Sequence, residues 1–299
     1  MQSSSRLFPV ALVKADLWQG LSEDIYLLKP NNSSDKSVEI SVTRLGNNLK
    51  SEGQVCTPVV LVHDLYQNRL SWMQSQSEDD FAVSLARSGF DVWLVEMRGH
   101  GMSKINQHYT QNTLDDFSAF DLVAVQQFIH EKNSVAAVWL GEGEGGISVL
   151  SSLAGEHMEP EWVQGVVVTR ADRLRWRNKY RWPLMPTMTR LFNRKKVMTK
   201  SHLPETEPRG VWKQRIKTHS LIGSRKVSGN KKLLPSLKAF DFAMRFCLEE
   251  QNGRLQKKLT FNESTCQVLH CQDRSSLLQL IDDLVEADAD LVRAVQPQI

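Results

Sequence analysis

Five consecutive residues, Gly141-Glu142-Gly143-Glu144-Gly145, have the spacing of a nucleophile elbow, the G-x-S-x-G turn that presents a reactive serine for acyl transfer. Glycine suits the first and last positions because the sharp bend presses its backbone against neighbouring elements. The central position, where the attacking hydroxyl belongs, is Gly143. The pattern therefore predicts the geometry of a catalytic turn without its nucleophile.

The flanking residues predict the elements that would hold this turn. A short apolar run at 135–140 enters the glycines, and a run of apolar and small residues at 147–154 leaves them, which indicates a strand, a tight turn and a helix. An ordinary connection between a strand and a helix has the same pattern. The rest of the chain has to decide between the two interpretations.

Strand and helix patterns alternate around the turn. Continuous apolar runs at 58–62, 90–95 and 163–169 are typical of strands buried on both faces, and residues 78–88 and 114–130 have helical periodicity. This alternation predicts a mostly parallel sheet with right-handed crossovers. The remaining predicted elements are antiparallel edge strands at 24–29 and 38–45, a helix at 233–250, a strand at 266–273, a helix at 276–285 and a last strand at 291–295.

Three motifs at the ends of predicted strands support a family resemblance. They are His63-Asp64, the run Arg98-Gly99-His100-Gly101-Met102-Ser103 and the turn Gly141–Gly146. In this order and spacing they resemble the α/β-hydrolase superfamily, notably its lipase-like or esterase-like and polyhydroxyalkanoate-synthase-like branches, best over residues 55–170. The resemblance implies one α/β-hydrolase domain with helices on both sheet faces, a core at about 24–172 and 233–299, and a cap insertion at about 173–232.

The resemblance also assigns catalytic positions. The nucleophile position is Gly143, and the acid maps to Asp273, or to Asp172 because some relatives place it one strand earlier. Either aspartate could equally make a local turn bond. No histidine follows the predicted strand at 291–295, so the general base is missing from its family position.

The oxyanion hole is altered as well. By resemblance, its region comprises His63 and Asp64 on one side and the backbone N–H of Glu144 on the other. Relatives have His-Gly where this chain has His63-Asp64, and Glu142 adds a further carboxylate. A developing oxyanion would therefore meet like charge, which disfavours ester hydrolysis.

Residues 173–232, which we name the basic cap, differ in charge from the rest of the chain. They contain eighteen Lys and Arg but only two acids, a net charge of +16 within a chain of +3. Basic residues alternate with aromatic ones, which fits a solvated cap, an anionic membrane surface, or nucleic acid or a protein partner. Nucleic acid is not the partner we favour. The residues of this pattern are Arg173, Arg175, Trp176, Arg177, Lys179, Arg181 and Trp182.

The composition, 41% apolar and 24% charged over 299 residues, is that of a globular chain. No apolar run reaches the length of a membrane span, so we expect neither a cleaved signal nor a transmembrane helix. The four cysteines contain no CxxC pair, and we expect buried free thiols in a reducing cytosol. The expected location is cytoplasmic, with peripheral membrane contact as an option, and no motif requires a cofactor or a metal.

The missing nucleophile, the missing base and the altered oxyanion hole favour a catalytically degenerate hydrolase-like protein. It would bind a small acyl or carbonyl ligand in the old pocket or act as an interaction module. The alternative is an active carboxylic-ester or lipase-like hydrolase whose nucleophile and base lie outside the motif positions or come from a partner chain. No pattern indicates an oligomeric state.

Overall fold

The computed structural model describes residues 8–18, 20–47, 56–74, 79–171, 196–218, 232–249, 256–257, 259–262, 265–269 and 274–295. Within them, nine strands form one sheet and two short strands form a separate ribbon. Helices pack on both faces of the sheet. The predicted mostly parallel α/β architecture is confirmed.

The strands follow the apolar runs of the sequence. They are β1 Val10–Trp18, β2 Leu21–Leu28, β3 Ile40–Asn47, β4 Pro58–Val62, β5 Asp91–Val95, β6 Ala137–Glu142, β7 Val163–Thr169, β8 Val197–Thr199, β9 Thr206–Pro208, β10 Ala243–Cys247 and β11 Cys266–Leu269. The sheet order is β1-β2-β3-β5-β4-β6-β7-β10-β11, and β8 pairs with β9 in the ribbon. β1, β2 and β3 are antiparallel to their neighbours, while the other six strands run parallel. The predicted antiparallel pair is thus present, with the unpredicted strand β1 outside it.

The helices occupy the connections between strands. They are α1 Phe81–Ser88, α2 Leu114–Asp116, α3 Leu122–Asn133, α4 Glu144–Ala154, α5 Arg209–Thr218, α6 Leu233–Leu237 and α7 Arg274–Val295, with a π-helical turn between α2 and α3. None of the helices in the described ranges is both long and apolar enough to cross a membrane.

Alternate residues of the central strands pack against different helices. Val60 and Val62 of β4 share an apolar cluster with residues of α3 and α4, whereas Val59 and Leu61 share one with residues of α1 and α7. One continuous apolar run therefore supplies both cores, because successive side chains of a strand point to opposite faces. The carboxyl ends of β4, β5 and β6 meet at one edge, which carries all three sequence motifs.

The segment 233–250 is not the single helix that we predicted. Helix α6 ends at Leu237, and Ala243–Cys247 form β10, which pairs with β7 and β11. The apolar residues of this segment have helical spacing, but pairing with two strands satisfies the backbone and buries Phe246 completely. Tertiary pairing here overrules local periodicity.

The predicted strand at 291–295 is also wrong, because those residues end helix α7. This helix buries four apolar side chains at helical spacing, and no glycine or proline interrupts the sequence from its start to Val295. The buried residues are Leu277, Leu280, Ile281 and Leu284.

The expectation of free thiols is wrong at Cys247, and at Cys271 it falls on a residue outside the described ones. Cys56 and Cys266 are free, but Cys247 is disulfide-bonded. Spacing along the chain does not detect such a bond. Cys247 ends β10, which lies between two parallel strands, so its neighbours in space are distant in sequence.

Candidate functional site

The turn between β6 and α4 has an unusual backbone conformation at its centre. Gly143 adopts φ 52° and ψ −116°, a combination that side-chain-bearing residues rarely occupy. Its N–H donates to the carbonyl of Thr169 over 3.0 Å, and its carbonyl accepts from the N–H of Ile147 over 3.1 Å. The turn is therefore anchored to the end of β7 and to the first turn of α4.

The flanking glycines are required by close backbone contacts. A Cβ at Gly141 would overlap the backbone of Gly146, and a Cβ at Gly145 would overlap the carbonyl of His63. Both positions thus have the tight packing that we expected for a nucleophile elbow.

The carboxylate of Asp64 lies directly over Gly143. Asp64 follows β4 and is 1% exposed, and its Oδ1 accepts the N–H of Leu65 over 2.8 Å and that of Glu144 over 3.0 Å. A Cβ added to Gly143 would lie 2.6 Å from Oδ1, 2.7 Å from Cγ and 2.8 Å from Oδ2. Asp64 therefore occupies the space of a side chain at 143 and takes both backbone donors beside it.

Two arginines lie among the carboxylates of the site. Nη1 of Arg170, directly after β7, is 3.6 Å from Oδ2 of Asp64 and 3.0 Å from Oε1 of Glu142. Nε of Arg215 in α5 is 3.4 Å from Oε1 of Glu144. We did not predict either arginine, and together they offset the negative charge that the motif residues concentrate here.

His63 is buried and neutral. Its Nε2 accepts the N–H of Met97 over 3.0 Å, so its Nδ1 carries the proton and donates to the carbonyl of Asp64 over 2.7 Å. Burial, with a smaller contribution from the nearby His100, lowers the pKa of His63 to about 3. Both ring nitrogens are engaged, so His63 is not poised to take a proton from a nucleophile.

His100, from the second motif, pairs with a carboxylate of the predicted basic cap. Its Nε2 lies 3.1 Å from Oε1 of Glu207, which also accepts the N–H of Tyr66 over 2.6 Å. Burial alone would lower the pKa of His100, but the Glu207 carboxylate outweighs this and raises it. Glu205 adds contacts to Asn68 and to the N–H of Gly101.

These contacts place residues 205–215 over the carboxyl edge of the sheet. The Nε1 of Trp212 donates to the hydroxyl of Tyr66, and the side chain of Gln214 accepts the N–H of Leu114. The sequence of the basic cap contains eighteen Lys and Arg, and Glu205 and Glu207 are its only acidic residues. Two isolated acids in a basic segment were a sequence signal that could have indicated contacts between this segment and the loops at the edge of the sheet.

Several predicted site residues lie outside the described residues. Within the described ranges, no group of three or more His, Cys, Asp or Glu side chains could hold a metal ion. The predicted residues that fall outside are the candidate acids Asp172 and Asp273 and the surface residues Arg173, Arg175, Trp176, Arg177, Lys179, Arg181 and Trp182.

Sequence comparison links the chain to one family and to lipases. A family model described as serine aminopeptidase, S33, matches residues 71–231. The chain is similar to the gastric triacylglycerol lipase of Rattus norvegicus, with 30% identity over 108 residues that cover 33% of this chain and 27% of the lipase. It spans about a quarter of the length of the curated relatives it matches.

Two solved structures with 13% identity share the fold. The thioesterase domain from the curacin biosynthetic pathway has a TM-score of 0.51, covering 91% of this chain and 99% of that domain. The monoacylglycerol lipase of Paleococcus ferrophilus also has a TM-score of 0.51, covering 83% of this chain and 99% of the lipase. At this identity the similarity shows the fold alone.

Proposed function

This chain belongs to the serine aminopeptidase S33 family of the α/β-hydrolase superfamily, and from that premise we propose that it is a catalytically degenerate member whose former active site serves binding. One observation carries the proposal. The elbow has no side chain at Gly143, and the Asp64 carboxylate occupies the space that one would fill. The same carboxylate accepts the N–H groups of Leu65 and Glu144.

The Asp64 carboxylate over the turn opposes acyl transfer even if a nucleophile comes from another part of the chain. An oxyanion held about 4 Å from the Asp64 carboxylate would be destabilised by at most about 4 kcal/mol at an effective dielectric constant of roughly 20, and Arg170 beside Asp64 reduces this value. Loss of one backbone donor adds about 3 kcal/mol. Together these effects amount to at most about 7 kcal/mol, an upper bound of roughly five orders of magnitude in rate.

Proton transfer also lacks an evident partner among the described residues beside the turn. A general base must lie within hydrogen-bond reach of the attacking group, with a nitrogen available. His63 uses both nitrogens within the loop after β4, and His100 is paired with Glu207. Neither ring therefore suits the role of the general base. The last strand of the sheet in the described ranges is β11, not the predicted strand at 291–295, and His270, which follows β11 directly in the sequence, lies outside the described residues.

An active ester hydrolase is the alternative function, and the lipases among the relatives favour it. It requires a serine or cysteine outside the elbow. Ser148, the first serine after the turn, is buried and donates to the carbonyl of Glu144, so it is not an evident candidate.

Labelling with a fluorophosphonate probe separates the two functions, because the probe reacts only with an activated serine. We expect the folded chain to label no more than the heat-denatured chain, and to leave short-chain nitrophenyl esters intact. An active serine lipase assayed in parallel verifies the probe and the esters. Labelling that maps to one serine and disappears when that serine becomes alanine would establish the alternative.

For the binding role we propose two partners. A small acyl or carbonyl ligand would lie at the carboxyl edge of β4 and β6, and calorimetric titration with decanoate tests it. An anionic membrane surface would contact the basic cap, and flotation with phosphatidylserine vesicles tests this contact. We expect flotation to weaken at high salt, since screening reduces the attraction between the cap and the lipid. Absence of flotation at low salt would exclude the membrane.

A further inference from the structure

Strand β1 exposes apolar side chains at the edge of the sheet. It ends the strand order and pairs only with β2 among the described strands. Seven large apolar side chains are exposed in the described residues, and four of them lie on β1: Val10, Leu12, Val13 and Leu17. Leu17 is 75% exposed. A bulge at Val13 interrupts the pairing of β1 with β2, and the regular stretch from Lys14 onward leaves an edge that is a template for pairing with another strand.

The charges on β1 do not protect this edge. A lysine in an edge strand ordinarily discourages pairing by leaving an uncompensated charge. Here Nζ of Lys14 lies 2.8 Å from Asp16 on the same strand and 2.8 Å from Glu23 on β2. The edge therefore presents one cation and one anion, two residues apart, with Ala15 between them.

We propose that two copies of this chain associate through β1, which pairs antiparallel with β1 of the second copy about a two-fold axis at Ala15. This register sets Lys14 opposite the partner subunit's Asp16, within the regular stretch of β1 that follows the bulge at Val13. The pair occurs twice because the axis repeats it. Opposite charges directly across two strands stabilise the pairing.

Neighbouring registers lack this complementarity. Centring the axis on Lys14 sets two lysines opposite each other, and centring it on Asp16 sets two aspartates opposite each other. Only the Ala15 register of these pairs each charge with its opposite, which is why a second copy suits the strand.

Charge variants test the register. Sedimentation across a range of concentrations should show a reversible dimer for the wild-type chain. Asp16→Lys sets like charges opposite each other twice, and we expect the dissociation constant to rise on the order of tenfold or more. The fold should survive, because the new lysine lies across from Glu23 on β2. Urea unfolding of each variant checks this.

The double variant Lys14→Asp/Asp16→Lys exchanges the charges and should restore the dimer. A disulfide provides the geometric test: Ala15→Cys should crosslink two copies under oxidation, whereas Ser34→Cys, on an exposed loop, should not. A monomer at every concentration overturns the proposal, and so does a dimer that Asp16→Lys leaves unchanged. Failure of Ala15→Cys to crosslink overturns the Ala15 register.

Discussion

Alanine at Gly143 should destabilise the fold mainly through its contact with Asp64. The added Cβ would lie 2.6 to 2.8 Å from three atoms of the Asp64 carboxylate, well inside normal van der Waals separation. That carboxylate cannot move away freely, because it holds the N–H groups of Leu65 and Glu144. Either the hydrogen bonds break or the turn shifts.

The size of the effect follows from two contributions. The backbone at φ 52° and ψ −116° disfavours a residue with a Cβ by about 1–3 kcal/mol. Overlap with Asp64 adds about 1–3 kcal/mol, typical of overpacking in a buried site. We therefore expect the free energy of unfolding to fall by about 2–6 kcal/mol, a large share of the roughly 5–15 kcal/mol of a normal domain.

A double-mutant cycle isolates the contact. Asp64→Gly removes the carboxylate, so Gly143→Ala in that background should lose only the backbone contribution. The coupling between the two positions should be about 1–3 kcal/mol by urea unfolding followed by circular dichroism. Asp64→Gly also leaves two N–H groups without an acceptor. This cost is the same with and without Gly143→Ala, so it cancels from the coupling energy. Effects that add to within about 0.5 kcal/mol would refute the placement of Asp64 over the elbow.

Gly165 provides a matched control in a buried strand. A Cβ there would lie 3.2 Å from the carbonyl of Ala243 and 3.7 Å from Leu284, far from Asp64, and the backbone is that of strand β7. Gly165→Ala should therefore show no coupling to Asp64→Gly. Coupling at this position would indicate that Asp64→Gly perturbs the whole sheet.

Two further predictions concern the buried histidines. His100→Ala removes the ring that pairs with the buried Glu207 carboxylate and should lower the unfolding free energy by about 1–3 kcal/mol in urea. Alanine at the exposed His108 should change it by less than about 1 kcal/mol, and equal losses would contradict the role of the pair. Because burial holds the pKa of His63 at about 3 against an ordinary value of 6.5, the unfolded chain binds the proton first as pH falls, so stability should be lost between pH 6.5 and 3. His63→Asn should flatten this dependence, measured as unfolding free energy against pH, and an unchanged slope would refute it.

The elbow and its sheet could be predicted because their causes are local in sequence. Gly141 and Gly145 are glycines since any side chain would meet backbone atoms, and that requirement appears directly in the spacing. The continuous apolar run of β4 likewise reports burial on both faces. Prediction was reliable wherever one short segment contained the whole physical reason for its structure.

Predictions were wrong or incomplete where the reason lies in distant contacts. β10 has apolar residues at helical spacing but becomes a strand because β7 and β11 lie on either side. Arg170 and Arg215 could not be assigned to the site, since they reach it from the end of β7 and from α5. The sequence predicted that the centre of the turn, Gly143, has no side chain. Only the geometry made evident that the Asp64 carboxylate occupies this space.

The residues at 64 and 143 depend on each other. With a side chain at 143, the Asp64 carboxylate would lose its place over the turn. With glycine at 64, the N–H groups of Leu65 and Glu144 would lose their acceptor, and an unpaired buried donor costs about 1–3 kcal/mol. A return to a catalytic elbow by one substitution therefore passes through a strained or unsatisfied site. This mutual dependence supports the proposal that the turn serves binding, because no single substitution at 64 or 143 restores an unstrained catalytic elbow.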